Sequence, residues 1–510
     1  MNPLPFCIAL RADASFKSGI GHVVRCLSLA TALRDAGVRP VLVSRRLGID
    51  VAKLARRANV DLIELSAPPD GFETADLVPH AAWAGIDWFR DADETAQVLR
   101  GQGCVRVVVD HYAFDARWHR RVAAALQVPI AAIDDLADRT LDVDLLVDHN
   151  LNNDIRVKYA TRIDASTRVL SGPRYALLSP SYASLKPRDA GDSVASIGIF
   201  LGGVDAAGLS LVALRACREV AGYQGPIEIV ATSANPHLER LRALSSAQPL
   251  TTLIVDAPEL SAFFVSHALQ IGAAGGATWE RCCAGVPMLL LVAADNQLAV
   301  VPQLVACGAA TALSAEASRD VRQVGMQVKE ILNDALHRQE MASCARVLVD
   351  GVGARRVALS ILGYTLSLRP AREDDADKAH AWRNHPLTRA VSRDGRTIQL
   401  ETHLQWWHHT LEDPARYLFI AQVGCIDVGV LRLDLDGDRA EVSIYLDPSY
   451  TGLGLGPWLL RAAQRHAARE LMLRSLTADI RPGNRASESA FATAGFSRGD
   501  PYWTWEPKLK

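Results

Sequence analysis

A histidine that follows a glycine-containing loop is the first residue in this sequence that could do chemistry. Gly19 and Gly21 lie just before His22, between an apolar strand candidate and a helical pattern. Glycines permit a tight turn and the close approach of a ligand, and the first amides of a helix favour an anionic one. A histidine there can move a proton near neutral pH, and the helix dipole favours its neutral, basic form. His22 is therefore either a general base or a structural histidine beside an ordinary strand–helix turn.

A second set of residues has the types expected around a nucleotide. Gly202 and Gly203 follow an apolar run and suit the approach of a phosphate. Glu280 lies one turn into a predicted helix, where its carboxylate either accepts hydrogen bonds from two ribose hydroxyls or faces solvent. Asn296 and Gln297 follow another apolar run, so their amides lie where a sugar or a diphosphate could be bound.

A third set lies near the end of the chain. An alternating strand pattern ends at Leu446, and Gly452, Gly454 and Gly456 follow it directly before a helical pattern. Successive amides before a helix can hold a pyrophosphate, and the strand edge could hold an extended pantetheine chain. Asn484 begins an Asn-x₁₀-Gly-Phe pattern after the next strand. A lone glycine-rich turn also produces such spacing, so an ordinary turn is the alternative.

The elements around the first two sets predict parallel sheets. Near-continuous apolar runs alternate with helical patterns, which is typical of strands buried on both faces. The runs of the first half are residues 6–10, 40–43, 105–109 and 129–133, with a helix over 22–36. Those of the second half are residues 196–201, 227–230, 252–255, 268–271 and 288–292, with a helical stretch near 342–362. Two such halves place a ligand in a crevice at strand carboxyl ends.

The chain is expected to contain three domains. Its 510 residues agree with that number at about 150 residues per domain. We predict a Rossmann-like α/β domain over 1–172 that contains the histidine loop, a second over 173–363 that binds the nucleotide, and an α+β domain over 366–510. No internal repeat or low-complexity tract interrupts them.

Composition excludes several classes of protein. A formal charge of −2 argues against non-specific binding to nucleic acid or a membrane surface. Nine scattered cysteines without a CxxC pair are typical of reduced thiols, and the adjacent His408 and His409 do not make a metal site. We find no signal peptide and no apolar stretch long enough to span a membrane. The expectation is a soluble, cytoplasmic protein without a metal.

Residues 6–363 resemble the PseG family, the nucleotide-sugar hydrolases of pseudaminic acid biosynthesis, which are related to the MurG-like GT-B glycosyltransferases. The matching motifs occur in order along the chain: RADAS (11–15), GIGHVVR (19–25), VDHY (109–112), IDDL (133–136), RYALL (174–178), LGGVD (201–205), TSANP (232–236), TWE (278–280) and DNQ (295–297). The family hydrolyses UDP-2,4-diacetamido-2,4,6-trideoxy-β-L-altropyranose to UDP and the free sugar. The resemblance therefore implies a GT-B-like pair of domains and a UDP-linked amino sugar as substrate.

The same resemblance implies roles for individual residues. His22 takes the place of the catalytic histidine and would act as general base on the water that attacks C1. Glu280 would bind the ribose, Asn296 and Gln297 the sugar–diphosphate, and Tyr112 the sugar. The other substrate-binding residues it implies are Arg11, Asp13, Gly19, Gly21, Arg25, Gly202 and Gly203. Among these, Asp13 and Arg25 are expected to orient the histidine loop.

Residues 366–510 resemble the GNAT acetyltransferases, in the branch that contains the PseH-type UDP-amino-sugar N-acetyltransferase. The strand, glycine loop, helix, strand and Asn484 pattern carry the likeness, together with WRNHP (382–386) and ETHLQWW (401–407). Acetyl-CoA is thus the implied co-substrate, with Leu446, Gly452, Gly454, Gly456 and Asn484 as its binding residues. Phe491 replaces the tyrosine often proposed as the acid, and Glu441 acting through water is a candidate base.

Both resemblances point to the same UDP-linked intermediate. We therefore expect a bifunctional enzyme that acetylates the 4-amine of the UDP sugar and then hydrolyses UDP from the product. One alternative is a GT-B glycosyltransferase with an appended acetyltransferase, which would transfer the sugar to an acceptor other than water. A second is the same chemistry on another diamino-trideoxy sugar, and a third is a non-catalytic role for one domain.

Overall fold

The computed structural model describes residues 6–186, 195–293, 297–298, 300–499 and 502–507. The chain divides into two compact units. The larger contains Arg39–Val357 with most of the chain before it, and the smaller contains Ala358–Lys510. The larger unit holds two parallel sheets, and the smaller unit holds a mixed sheet.

The first sheet has seven parallel strands in the order β3-β2-β1-β4-β5-β6-β7. The strands are β1 (Cys7–Ala12), β2 (Arg39–Arg45), β3 (Asp61–Leu65), β4 (Cys104–Asp110), β5 (Ile130–Ile133), β6 (Leu145–Asp148) and β7 (Arg168–Ser171). The helices are α1 (Gly21–Asp35), α2 (Val51–Ala58), α3 (Trp88–Leu99), α4 (Ala116–Leu126) and α5 (Ile155–Lys158). The strand order reverses between β1 and β4, and ligands of open α/β sheets bind at such a switch point, outside the carboxyl ends of the strands.

The second sheet has six parallel strands in the order β10-β9-β8-β11-β12-β13, with its switch point between β8 and β11. The strands are β8 (Ile197–Phe200), β9 (Ile227–Ala231), β10 (Thr251–Val255), β11 (Leu269–Ala273), β12 (Met288–Leu291) and β13 (Thr311–Leu313). The helices are α6 (Leu209–Arg215), α7 (Leu238–Ala247), α8 (Ser261–Ser266), α9 (Ala277–Ala284), α10 (Val301–Ala306), α11 (Val321–Asn333), α12 (Ala335–Leu348) and α13 (Gly353–Leu362).

Alternate side chains of β12 explain why this strand reads as an unbroken apolar run. Met288 and Leu290 belong to one buried cluster, whereas Leu289 and Leu291 belong to another. A parallel strand that is covered on both faces needs apolar residues at every position. Local sequence and packing therefore agree here.

The smaller unit contains a seven-stranded sheet in the order β14-β15-β16-β17-β18-β20-β19. The strands are β14 (Ser367–Pro370), β15 (Arg416–Val423), β16 (Ile426–Asp436), β17 (Arg439–Leu446), β18 (Ser475–Ala478), β19 (Ser497–Arg498) and β20 (Trp503–Trp505). The helices are α14 (Ala376–Asn384), α15 (Pro386–Val391), α16 (Leu400–Glu412), α17 (Leu455–Arg469) and α18 (Arg485–Thr493).

The pairing of β17 differs on its two sides. It pairs with β16 in antiparallel fashion along its full length, Arg439 to Leu446. Its parallel pairing with β18 covers only Arg439 to Glu441. The two strands therefore separate beyond Glu441, which leaves one edge of β17 open just before the glycine loop.

Candidate active sites

A histidine, a carboxylate and an arginine meet at the switch point of the first sheet. His22 is the second residue of α1, directly after the loop that follows β1, and Asp110 ends β4. Asp110 Oδ1 lies 2.6 Å from His22 Nδ1, and the same carboxylate accepts hydrogen bonds from Arg25 Nε at 2.5 Å and Nη2 at 2.6 Å. Asp110 is fully buried and His22 is 7% exposed. The structure thus brings His22 and Arg25 together through Asp110.

The ionisation of Asp110 determines which nitrogen of His22 is basic. Burial alone would raise the pKa of Asp110, but the neighbouring charges of Arg25 and His22 outweigh it and hold that pKa well below its usual range. An ionised carboxylate only accepts hydrogen bonds, so His22 Nδ1 donates to it. The lone pair of the neutral imidazole is then on Nε2, which suits general-base catalysis.

Tyr112 contacts the imidazole of His22 but already uses its hydroxyl. The two rings meet edge-to-face with their centroids 4.6 Å apart. The Tyr112 hydroxyl donates a hydrogen bond to Asp135 Oδ1, and burial raises the pKa of Tyr112 well above its usual range. The Tyr112 side chain is therefore uncharged and lines the histidine site, and a sugar bound there would contact its ring or its hydroxyl oxygen.

Asp135 also connects the first sheet to the second. It follows β5, lies 4.0 Å from Arg25 Nη1 and accepts a hydrogen bond from Asn150 Nδ2 at 3.0 Å. Asn150 follows β6, and its Oδ1 accepts a hydrogen bond from the indole of Trp279 at 3.2 Å. Trp279 lies in α9, directly before Glu280. A continuous chain of polar contacts thus joins the histidine site to the helix predicted to bind ribose.

Arg11 and Asp13 have buried protein partners in this structure. Both side chains are completely buried and form an ion pair with each other, and Arg11 also pairs with Asp91 at 2.6 Å. Asp13 Oδ2 lies 3.3 Å from His111 Nε2. The structure thus pairs Arg11 with Asp13 and Asp91, and Asp13 also with His111. The roles of Arg11 and Asp13 in substrate binding, and of Asp13 in orienting the histidine loop, stay predictions.

The glycines of the loops that follow β1 and β8 have open surroundings. Gly19 and Gly202 adopt positive φ angles of 73° and 91°, and a Cβ at either position would meet no atom within 4 Å. The same open space surrounds Gly21, and a Cβ on Gly203 would touch only Thr232, at 3.8 Å. These loops follow β1 and β8, so both present accessible backbone at the carboxyl ends of central strands.

Two of the three side chains predicted to bind the nucleotide beside the second sheet, Glu280 and Gln297, are among the described residues. Glu280 is half-buried on α9 and accepts a hydrogen bond from the Tyr182 hydroxyl at 2.9 Å, and burial raises the pKa of Glu280. Gln297 Oε1 accepts a hydrogen bond from the backbone amide of Ala293 at 2.9 Å. Asn296 lies outside the described residues.

In the smaller unit, a glycine loop leads from the open edge of β17 into α17. Leu446 ends β17, and Gly452 and Gly454 have positive φ angles of 80° and 72°. Gly456 lies inside α17, where a Cβ would approach Ala490 of α18 to 3.2 Å. Gly456 therefore allows close packing of two helices, while the other two glycines form the turn itself.

Asn484 and Glu441 have protein partners in this structure. Asn484 caps α18, because its side chain accepts a hydrogen bond from the Ser487 amide at 3.1 Å. The Glu441 carboxylate accepts a hydrogen bond from Arg393, which also pairs with Asp479 at 3.1 Å. Asn484 thus shapes the start of α18 and Glu441 pairs with an arginine, while their roles in binding acetyl-CoA and in accepting a proton stay predictions.

Asp110 and Asn150 are functional candidates that sequence reasoning missed. Asp110 stands within the motif that also contains Tyr112, at the end of an apolar strand. Its position at a strand carboxyl end was an available signal. Asn150 carries no such local signal, because its partners Asp135 and Trp279 are distant in sequence.

Among the described residues, no group of three or more histidine, cysteine, aspartate and glutamate side chains is arranged to hold a metal ion. Within the same part of the chain, no helix combines the length and the apolar character needed to cross a membrane.

Comparisons with known proteins match both parts of the chain. The family model of the acetyltransferase (GNAT) domain matches residues 365–497. The spore coat polysaccharide biosynthesis protein SpsG of Bacillus subtilis is 24% identical over 352 residues, which are 69% of this chain and 96% of that protein. The putative phosphinothricin acetyltransferase YwnH of the same organism is 30% identical over 138 residues, 26% of this chain and 84% of that protein.

A solved structure supports the fold of the larger unit. The structure of S. aureus MnaA with UDP covers 70% of this chain and 96% of its own, with a TM-score of 0.50 and 14% identity. With the two sheets described above, these comparisons confirm the predicted fold class: two Rossmann-like, GT-B-like domains with parallel sheets, followed by an α+β GNAT acetyltransferase domain.

Proposed function

We propose that this chain, whose residues 365–497 belong to the GNAT acetyltransferases, is a bifunctional enzyme that makes and then cleaves a UDP-linked diacetamido sugar. The C-terminal domain would transfer the acetyl group of acetyl-CoA to the 4-amine of a UDP-4-amino sugar. The larger unit would hydrolyse the resulting UDP-2,4-diacetamido-2,4,6-trideoxy-β-L-altropyranose. The contact of 2.6 Å between His22 and Asp110 at the sheet's switch point carries this proposal.

In the hydrolytic step, His22 Nε2 accepts a proton from water as the water oxygen bonds to C1 of the sugar. The bond between C1 and the phosphate oxygen breaks, and its electron pair leaves with UDP. Asp110 supports the imidazolium that forms, and Arg25 keeps that carboxylate in place through two hydrogen bonds. General-base catalysis of this kind is typically worth about 10²–10⁴-fold in rate.

The leaving nucleotide would lie against the second sheet. Open backbone at Gly202 and Gly203 lies at the carboxyl end of β8 and suits the diphosphate. Glu280 would accept hydrogen bonds from the ribose hydroxyls beside Tyr182, and Gln297 would donate to the sugar–diphosphate. The polar chain through Asn150 and Trp279 supports a cleft shared by both sheets.

In the acetyl transfer, the nitrogen of the neutral amine attacks the thioester carbon and an amide bond forms. The carbon–sulfur bond breaks, its electron pair leaves with the sulfur of CoA, and one proton of the amine ends on that sulfur to give the free thiol. The open edge of β17 before Leu446 suits the pantetheine chain, and the turn at Gly452 and Gly454 suits the pyrophosphate. The amine must lose its proton, and Phe491 has no group to serve as the acid. We therefore assign no general acid or base to this half.

The link between the two steps rests on the shared intermediate. The product of the acetylation is the substrate of the hydrolysis, and the two parts are fused in one chain. The relative SpsG is named as a protein of spore coat polysaccharide biosynthesis, which supports a sugar-processing role for the larger unit.

The test is a paired assay on the purified full chain. The UDP-4-amino sugar is supplied with and without acetyl-CoA, and UDP, CoA and free sugar are followed by chromatography. We expect UDP release that depends on acetyl-CoA. His22→Asn should remove most UDP release and leave CoA release unchanged, whereas His337→Asn, at an exposed histidine of α12, should change neither.

Other results would redirect the proposal. CoA release without UDP release would contradict the hydrolase half, and UDP release only after addition of a sugar or lipid acceptor would favour a glycosyltransferase. Turnover of a stereoisomeric diamino sugar in preference to this one would retain the chemistry and change the substrate.

A further inference from the structure

Arg281 is a completely buried arginine at the switch point of the second sheet. It lies in α9 and has no exposed surface. Its Nη2 donates a hydrogen bond to the carbonyl oxygen of Phe200 at 2.6 Å, and its Nη1 donates to that of Ala273 at 3.2 Å. Phe200 ends β8 and Ala273 ends β11, so the guanidinium bridges the ends of the two strands that flank the switch point.

Among the described residues, no ion pair includes Arg281 and its Nε has no hydrogen-bond partner. The carboxylate of the adjacent Glu280 attracts its charge without such a direct contact. The ring of Phe264 lies beside it, 5.2 Å from Cζ to the ring centroid. Burial lowers the pKa of Arg281 to about 10, so the group is still charged at neutral pH. A buried charge is costly unless it is compensated.

The backbone makes room for this guanidinium at Gly272. A Cβ on that residue would lie 1.8 Å from Arg281 Nη2 and 2.2 Å from Cζ. Any other residue at position 272 would displace the arginine from the strand ends. The glycine therefore maintains a buried positive charge at this one place.

The two loops that begin at these strand ends are the ones suited to a diphosphate. Gly202 and Gly203 follow β8, and Gly275 and Gly276 follow β11. A Cβ at Gly202, Gly275 or Gly276 would meet no atom within 4 Å, so the surfaces of both loops are open. A buried cation with no ion pair among the described residues lies directly behind two open loops and would attract an anion to them, because charges interact strongly where water is excluded.

We propose that Arg281 is a positioning residue that supplies the resident counter-charge for the diphosphate of the nucleotide. This inference rests on the proposed UDP-sugar function. Arg281 keeps its bonds to the two carbonyl oxygens and acts across the loops on the phosphates. Cleavage of the C1–O bond adds negative charge to UDP, so the same cation also favours departure of the nucleotide.

The test compares a charged ligand with a neutral one on the full chain. Binding of UDP and of uridine is measured by calorimetry for the wild type, Arg281→Gln, Arg281→Lys and Arg215→Gln. Arg215 is an exposed residue of α6 that pairs with Glu219, so its variant controls for removal of a charge from the same domain.

We expect Arg281→Gln to weaken UDP binding by about tenfold or more, because removing about 1.4 kcal/mol of attraction corresponds to that factor. Uridine binding should change less than twofold. Arg281→Lys retains the charge and should stay near the wild type in its preference for UDP over uridine, as should Arg215→Gln. If Arg281 had a merely structural role, Arg281→Gln would weaken the binding of UDP and of uridine equally and would lower the melting temperature of the protein in proportion.

The outcomes separate this inference from the function on which it rests. If the wild type binds UDP and Arg281→Gln weakens UDP and uridine equally, the inference is overturned and the UDP site stands. If the wild type binds no UDP, both fail. If Arg281→Gln does not fold, Gly272→Ala decides, since its methyl group would take the guanidinium's place. An unchanged preference for UDP in that folded variant overturns the inference.

Discussion

Replacement of Asp110 by asparagine tests the histidine site most directly. Asp110 Oδ1 contacts both His22 Nδ1 and Arg25 Nη2, and Oδ2 accepts from Arg25 Nε. An amide has one oxygen and one NH₂ group. Whichever way it turns, its NH₂ group faces an N–H of Arg25, so Asp110→Asn cannot satisfy all the partners of the carboxylate.

The expected loss in rate follows from these contacts. A buried hydrogen bond to a charged group is worth about 1.5–3 kcal/mol, which corresponds to about 10–100-fold in rate. Loss of the tautomer with a basic Nε2 removes general-base catalysis as well, typically about 10²–10⁴-fold. We expect kcat for UDP release to fall by about 10²–10⁴-fold while UDP binding stays within about threefold, because Asp110 lies in the first sheet and the predicted UDP residues in the second.

The assay is the release of UDP from the diacetamido substrate, with UDP binding measured separately by calorimetry. Asp144→Asn, at a half-exposed carboxylate that pairs with Arg106, is the control and should behave as the wild type. The double variant of Asp110 and His22 completes a cycle. If Asp110 acts through His22, adding Asp110→Asn to His22→Asn costs nothing further. A full additional loss in the double variant would refute the reasoning.

Two further changes probe the acetyltransferase loop and the buried charges. Gly454→Ala places a side chain at a φ of 72°, which costs about 1–2 kcal/mol. We expect this variant to bind acetyl-CoA about tenfold more weakly, as measured by calorimetry. The control Gly437→Ala, at a φ of 61° in the turn between β16 and β17, should leave acetyl-CoA binding unchanged. Asp91→Asn breaks a buried pair with Arg11 and should destabilise the chain by about 3–5 kcal/mol in denaturant unfolding, whereas Asp93→Asn at an exposed pair should cost under about 1 kcal/mol.

The charge of Asp91 also predicts a pH dependence. Burial would raise the pKa of Asp91, but the attraction of Arg11 outweighs it and lowers that pKa. A lowered pKa in the folded state contributes stability that is present above the unfolded value of about 3.9 and is lost as the pH falls below it. Wild-type stability should therefore drop below about pH 4, and Asp91→Asn should flatten part of that drop. If Asp91→Asn loses stability below pH 4 as steeply as the wild type, the assignment of this pH dependence to Asp91 is contradicted. If Gly454→Ala and Gly437→Ala weaken acetyl-CoA binding equally, the role of the Gly454 loop in that binding is contradicted.

Much of the fold was readable from local patterns. The apolar runs predicted at 105–109 and 288–292 correspond to β4 and β12 in the structure, and the helical pattern from His22 corresponds to α1. Strands buried on both faces need continuous apolar sequence, so their signal is strong in one dimension. Short or half-exposed strands such as β3 and β13 lack that signal and were not predicted.

The sequence by itself determined the parallel α/β halves, the C-terminal acetyltransferase domain and the histidine after the first glycine loop. Only the tertiary structure decided that Asp110 contacts His22 whereas Asp13 contacts His111, because both carboxylates stand at the carboxyl ends of apolar strands and their partners depend on the order of those strands in the sheet. The position of Arg281 across two strand ends likewise could not be predicted, since its hydrogen-bond partners are carbonyl oxygens of two distant strands. The propensity for a helix or a strand depends on neighbouring residues in the sequence. A pairing between distant side chains depends on the order of the strands, which only the folded sheet establishes.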